Sequence, residues 1–266
     1  AKWAVGWDIY NMRTVFMKNT SYHVGAWMEI YREHKAGRPI GHLFRKLFSG
    51  FRAVTDYPAV AWWKEIRDAL PEAKVVHTSR PAGDWYKSSF ETTFAIVEYA
   101  QTGKLDRLLD IEAAIVGKSR KDWLQTGDHS QKLRDYGEMM QKVVWDRLFG
   151  EGVNPADPQM RDRVIDGFER HVASVSELNG DPRFLVWQVT DGWRPLCDLM
   201  EFETCPTSAF PRMNDRKTFY RASLQPTLNA RLKPPVGRSH SRAPPPQARK
   251  ASGGASARTG GAHHEL

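Results

Sequence analysis

The sequence predicts an α/β fold: a parallel sheet with helices on both faces. Two β-rich runs, 52–55 and 74–78, are separated by a helix-periodic stretch at 59–70. Parallel strands joined through a helix form a right-handed crossover, and such sheets bind ligands beyond the carboxyl ends of their strands. A third β-rich run, with FLVWQV at its heart, follows at 183–189 after further helical segments. At 266 residues the chain is long enough for one large α/β domain and too short for two generous ones.

In order, 1–21 is the least readable part of the body. A strand at 3–9 is interrupted by Gly6 and Asp8. A short helix is expected at 27–34 and a loop at 35–39. Leu43, Phe44, Leu47, Phe48 and Phe51 then recur as one helical face against the core. The strand at 52–55 stops at Asp56-Tyr57-Pro58, and Pro71 closes the helix at 59–70. The strand at 74–78 ends in Ser79-Arg80-Pro81. Asp84 stands where the N-cap of a helix at 85–99 is expected. Helices are expected at 105–117 and 123–150, the second broken near Gly127-Asp128. Met139, Val143, Val144, Leu148 and Phe149 give it a core-facing stripe. A turn cluster at 154–158 precedes a helix at 159–178, whose inner face carries His171. Asp191-Gly192-Trp193 turns the last strand into a helix at 194–200.

Composition narrows the function classes. Apolar residues make up 41% and charged residues 26%, as in an ordinary globular chain. Trp62, Trp63, Trp85, Trp145 and Trp187 fall in amphipathic or buried runs, so core packing is their expected role. The segment 223–266 holds +6 of the chain's +8 charge, which leaves the body only +2. That segment has six Pro, five Gly and few large apolar residues, so a disordered basic tail is expected there, beside a folded domain at 1–222. The basicity therefore belongs to the tail, and specific nucleic-acid binding is not expected. Two cysteines, Cys197 and Cys205, exclude a disulfide framework and Cys-x-x-Cys metal clusters. Cys197 reads as a core thiol. No run is long enough to span a membrane, no signal-peptide pattern opens the chain, and a cytoplasmic location is the default.

Polar residues gather where the strands end, and there HTSRPAGDWYKSS resembles the 3′-phosphate-binding segment of sulfotransferases that use 3′-phosphoadenosine 5′-phosphosulfate (PAPS). VTDYPA is similar to the family's strand end that carries the catalytic base. VTDGWRPLCDLM followed by AFPRMND resembles the closing segment of its eukaryotic and marine-type branch. Four such segments keep their order and spacing across roughly 22–219. The resemblance implies a three-layer P-loop-type parallel sheet, PAPS as co-substrate and no metal. The product would be a sulfated hydroxyl or amine of a small-molecule acceptor.

It also implies site residues. Arg80 and Ser88 would hold the donor's 3′-phosphate, with Ser88 in the first turn of its helix; a guanidinium offers a planar fork to phosphate oxygens. Arg212, in the loop expected to close over the nucleotide, would reach the same phosphate. Asp56 would take the acceptor's proton, with His23 of the Tyr22-His23 pair as the other candidate. Against these stand plainer roles: a turn or N-cap aspartate at 56, and a structural histidine at 23. The loop that wraps the 5′-phosphosulfate is shortened. Arg13-Thr14 is followed by no glycine and no second threonine, and Lys18-Asn19-Thr20-Ser21 reads as a polar turn that opens no helix. A degenerate member that keeps the fold without turnover is therefore the alternative. A nucleotide kinase would need a Gly-x-x-x-x-Gly-Lys-Ser/Thr loop, which the chain lacks.

Overall fold

The computed structural model describes residues 9–17, 20–95, 98, 119, 121–122 and 129–211. The helix expected at 105–117, the break near Gly127-Asp128, Arg212 and the tail at 223–266 lie outside the described residues.

The first strand, β1 (Ile9–Tyr10), runs into a short helix, α1 (Met12–Met17). Two helices follow, α2 (Thr20–Lys35) and α3 (Gly41–Leu47). Helix α2 corrects the sequence reading: it begins at Thr20 rather than near Trp27, so Ser21, Tyr22 and His23 belong to its first turns. Val24, Trp27 and Ile30 are buried at three-residue steps, and that stripe carries the helix through a polar start. Strand β2 (Ala53–Val54) then pairs parallel with β1, Ile9 opposite Ala53 and Tyr10 opposite Val54. The Thr55 N–H extends the ladder to the Tyr10 carbonyl at 2.9 Å.

A 3₁₀ turn, Ala59–Trp62, leads into α4 (Trp63–Ala69). Strand β3 (Val75–Thr78) and helix α5 (Ala82–Glu91) come next. Here too the boundary moves. Pro81 occupies the cap position with no side-chain cap, and Asp84 sits inside the first turn, where its charge complements the helix dipole. Helix α5 breaks at Thr92, with φ −124° and ψ −90°, and helical residues resume at 93–95 and 98, so the run expected at 85–99 is interrupted at Thr92. Helix α6 (His129–Met139) passes through a π-helical turn, Met140–Trp145, into α7 (Asp146–Phe149). Helix α8 (Arg161–Val175) packs back on α7. Strand β4 (Phe184–Trp187) pairs parallel with β3 from Val75↔Phe184 to Thr78↔Trp187, and α9 (Arg194–Leu199) follows.

Among the described residues the strands form two parallel pairs, β1–β2 and β3–β4. The parallel α/β character expected from the sequence is present, in a helix-rich setting. The core lies between the helices. Trp27, Trp62, Trp145, Tyr136, Phe44 and Phe94 are fully buried within it. The Trp62 indole donates to the Val143 carbonyl inside the π turn at 2.9 Å, and the Arg147 guanidinium lies 4.1 Å over the Trp62 ring. Trp85, half-buried, stacks on Phe168 at 4.2 Å and so fixes α5 against α8.

The cysteines are a second correction. Cys197 is buried at 3% exposure, as expected of a core residue, but it is disulfide-bonded to Cys205 rather than a free thiol. A chain with two cysteines cannot build a framework, yet residues eight apart can meet when the helix holding the first is followed by a tight reversal. Glu201, at φ 57°, supplies that reversal.

Candidate active site at the strand ends

Each parallel pair brings two strand ends together. At the end of β1–β2 stands Asp56, two residues past Val54. Its backbone is left-handed, φ 67°, and its carboxylate accepts the Tyr57 N–H at 2.8 Å. It also accepts the Met12 N–H, the first of α1. The Asp56 carboxyl keeps a solvent-exposed edge, but the protein packed behind it strips water from the charged form. This dehydration raises its pKa above the ordinary aspartate value, and the two backbone donors only partly offset it. Burial raises the phenol pKa of Tyr57 and of Tyr136, and the nearby Asp56 charge adds to both. Asp56 is no helix cap of the ordinary kind: it precedes the turn at Ala59 but spends its carboxylate on Tyr57 and on the start of α1.

His23 lies inside. It is 6% exposed, its Nδ1 is 3.3 Å from the Tyr10 hydroxyl, and its ring meets Tyr10 and Tyr22 edge-on. The same Tyr10 oxygen accepts the Trp27 indole N–H at 2.8 Å, which leaves the phenol proton free to point at His23. This hub ties α2 to the end of β1. Nothing in the spacing of the sequence announced Tyr10 or Tyr136.

At the end of β3–β4, the Ser79 N–H donates to the Trp187 carbonyl at 3.1 Å, and Arg80 stands one residue beyond. Its exposed guanidinium reaches the Asp84 carbonyl at 3.1 Å. In an α-helix that carbonyl is also the acceptor of the residue-88 N–H, so the Arg80 guanidinium sits over the turn of α5 that leads to Ser88. Ser88 is half-buried and in the second turn, because α5 starts earlier than its first acidic residue suggested.

These features fit one half of a 3′-phosphorylated, 5′-sulfated nucleotide better than the other. The β3–β4 end has an exposed guanidinium, held to the Asp84 carbonyl, and a hydroxyl on the opening turns of a ten-residue helix, as a 3′-phosphate would require. On the 5′ side, α1 opens straight from β1 with no glycine. Asn11 Oδ1 accepts the Thr14 N–H at 3.0 Å, and Asp56 accepts that of Met12. The Thr14 hydroxyl turns inward to the Ile9 carbonyl at 3.2 Å. Two of the backbone donors at the start of α1 are thus already engaged within the chain. Among the described residues, no group of three or more His, Cys, Asp or Glu is placed to hold a metal.

A family model described as a sulfotransferase domain matches residues 4–219. The chain belongs to that family. The match spans both strand pairs and every candidate site residue, Arg212 included. A curated relative, the "Ava biosynthesis cluster protein M" of Aspergillus versicolor, is 25% identical over 212 residues, covering 79% of this chain and 72% of its own. Sulfotransferase-like function and a P-loop-like α/β fold follow for this chain from family membership, and members of the family generally use PAPS.

Proposed function

We propose that this sulfotransferase-family chain transfers the sulfuryl group of PAPS to a hydroxyl or amine of a small molecule. The supporting observation is Asp56: a carboxylate of raised pKa at the end of β2, against the start of α1, where the family resemblance puts the base. In the proposed step the acceptor's O–H or N–H proton passes to Asp56 as its oxygen or nitrogen bonds to sulfur. The S–O bond to the nucleotide phosphate breaks with its electron pair, releasing adenosine 3′,5′-bisphosphate. Arg80 and Ser88 would hold the 3′-phosphate, with Arg212 reaching it from the closing loop. His23, sealed against Tyr10, has the lesser claim to the base. We take β1–β2 and β3–β4 as parts of one three-layer P-loop-type sheet, and the cytoplasm as the location. The name of the Aspergillus relative places that protein in a biosynthesis cluster, which favours a small-molecule acceptor here.

A second reading, a member that binds nucleotide without turnover, draws on the self-capped start of α1. Radiolabelled PAPS and a panel of phenols, alcohols and amines separate the two. Transfer by the wild type, reduced at least about a hundredfold in Asp56→Asn, is the expected result for a general base. Bisphosphate binding with no transfer to any acceptor would select the second reading. In the active protein the acid limb of kcat/KM should lie above the ordinary aspartate pKa, because the base is lost as pH falls through a raised value.

A further inference from the structure

The chain past β4 doubles back on itself. Helix α9 runs away from the strand ends, Glu201 reverses the chain in a left-handed conformation with its carboxylate on Lys74, and residues 202–211 return along the helix. The returning strap is tied at its start by the Phe202 N–H on the Cys197 carbonyl at 3.0 Å, and further along by three contacts. Cys205 is bonded to buried Cys197 in the middle of α9. The Trp193 indole donates to the Ser208 carbonyl at 3.0 Å. The Phe210 ring lies 4.4 Å from Trp193 and 4.9 Å from Trp187. Trp187 is the residue whose carbonyl holds the Ser79 N–H, next to Arg80. The strap therefore finishes against the strand end that presents Arg80. Of these ties only the disulfide is covalent; beyond residue 202, an exposed hydrogen bond and one ring cluster add little against the freedom of the segment.

We propose that Cys197–Cys205 is a thiol-responsive clamp that sets nucleotide affinity at the β3–β4 strand end. Closed, it holds residues 205–211 on Trp187 and Trp193 beside Arg80. A dithiol reductant opens it, giving up two electrons and two protons to form the Cys197 and Cys205 thiols and becoming a disulfide itself. The freed strap then has to be ordered again each time nucleotide binds, which lowers affinity. The inference rests on the donor-site reading of Arg80 and Ser88. Disulfides are rare in reducing compartments unless they act in sensing, so in the cytoplasm the open state would be the resting one.

The test is titration of the full-length chain with adenosine 3′,5′-bisphosphate, oxidised and after dithiothreitol, with hydrogen exchange of residues 193–211 followed in parallel. The reduced wild type is expected to bind about tenfold more weakly, with faster strap exchange, and reoxidation should restore both. Cys205→Ser should behave as the reduced protein under all conditions; because Cys205 is only half-buried, this variant spares the core position at Cys197. Equal affinity in all states, or unchanged exchange on reduction, overturns the clamp and leaves the donor site standing. No binding in any state overturns the donor site itself, and the clamp with it.

Discussion

His77 and His171 show how burial alone can make a side chain pH-sensitive. Their rings face each other at 6.3 Å between β3 and α8, and the His77 Nε2 is buried without a hydrogen-bond partner. Burial lowers both pKa values, that of His171 to about 4, with the neighbouring His77 adding to it. The unfolded chain takes up protons near pH 6.5 while the folded protein stays neutral until about pH 4. Stability should therefore fall as pH drops through that window, by up to about 3 kcal/mol for His171. Urea titrations between pH 7 and 4.5 should show the loss, and His171→Leu should flatten it. Equal pH slopes in the two proteins would contradict the burial. At this scale the places of two candidate residues were legible. Asp56 and Arg80 stand at strand ends because polar residues stop β-rich runs, whereas Ser88 lies in the second turn of α5. The residues around them were not legible: Tyr10 and Tyr136 come from distant segments, and no local pattern encodes a contact across the core.

Elements were readable where periodicity is strong and blurred where two signals compete. The strands at 52–55 and 74–78 appear within one or two residues of their expected bounds, as does the turn into α9 at Arg194. The start of α2 was missed because Thr20 and Ser21 favour turns and lack an apolar period, while tertiary burial of Val24, Trp27 and Ile30 draws the helix backwards over them. Helix α8 owes its seat on α7 to Gly167. A Cβ there would come 2.5 Å from the Leu148 carbonyl oxygen and 2.6 Å from the Phe149 ring, closer than such atoms approach. Gly167→Ala gains helix propensity but must push the two helices apart. A net loss of about 1–3 kcal/mol in unfolding free energy is expected. A stabilised variant would mean that α7 and α8 are not in this contact.

For the whole molecule, fold class and family could be read from the order of four segments. The halves of the proposed donor site part company: one strand end offers Arg80, and the other has the Thr14 and Met12 N–H groups engaged by Asn11 and Asp56. The disulfide was not legible, since two cysteines eight apart say nothing of the reversal at Glu201 that brings them together. The charge asymmetry leads to another prediction. Because the 223–266 segment holds most of the basicity and few large apolar residues, its deletion should leave the unfolding midpoint and bisphosphate affinity unchanged and abolish any salt-sensitive nucleic-acid binding. A fall in the midpoint would show that the segment packs on the domain.

The central claim is that the Arg80 strand end holds a 3′-phosphate. Calorimetry with adenosine 3′,5′-bisphosphate, comparing the wild type with Arg80→Ala, tests it most directly. Saturable wild-type binding weakened about tenfold or more in the variant is predicted, as for loss of a charge-assisted contact. Equal affinities in the two proteins, or no binding by a folded wild type, would contradict it.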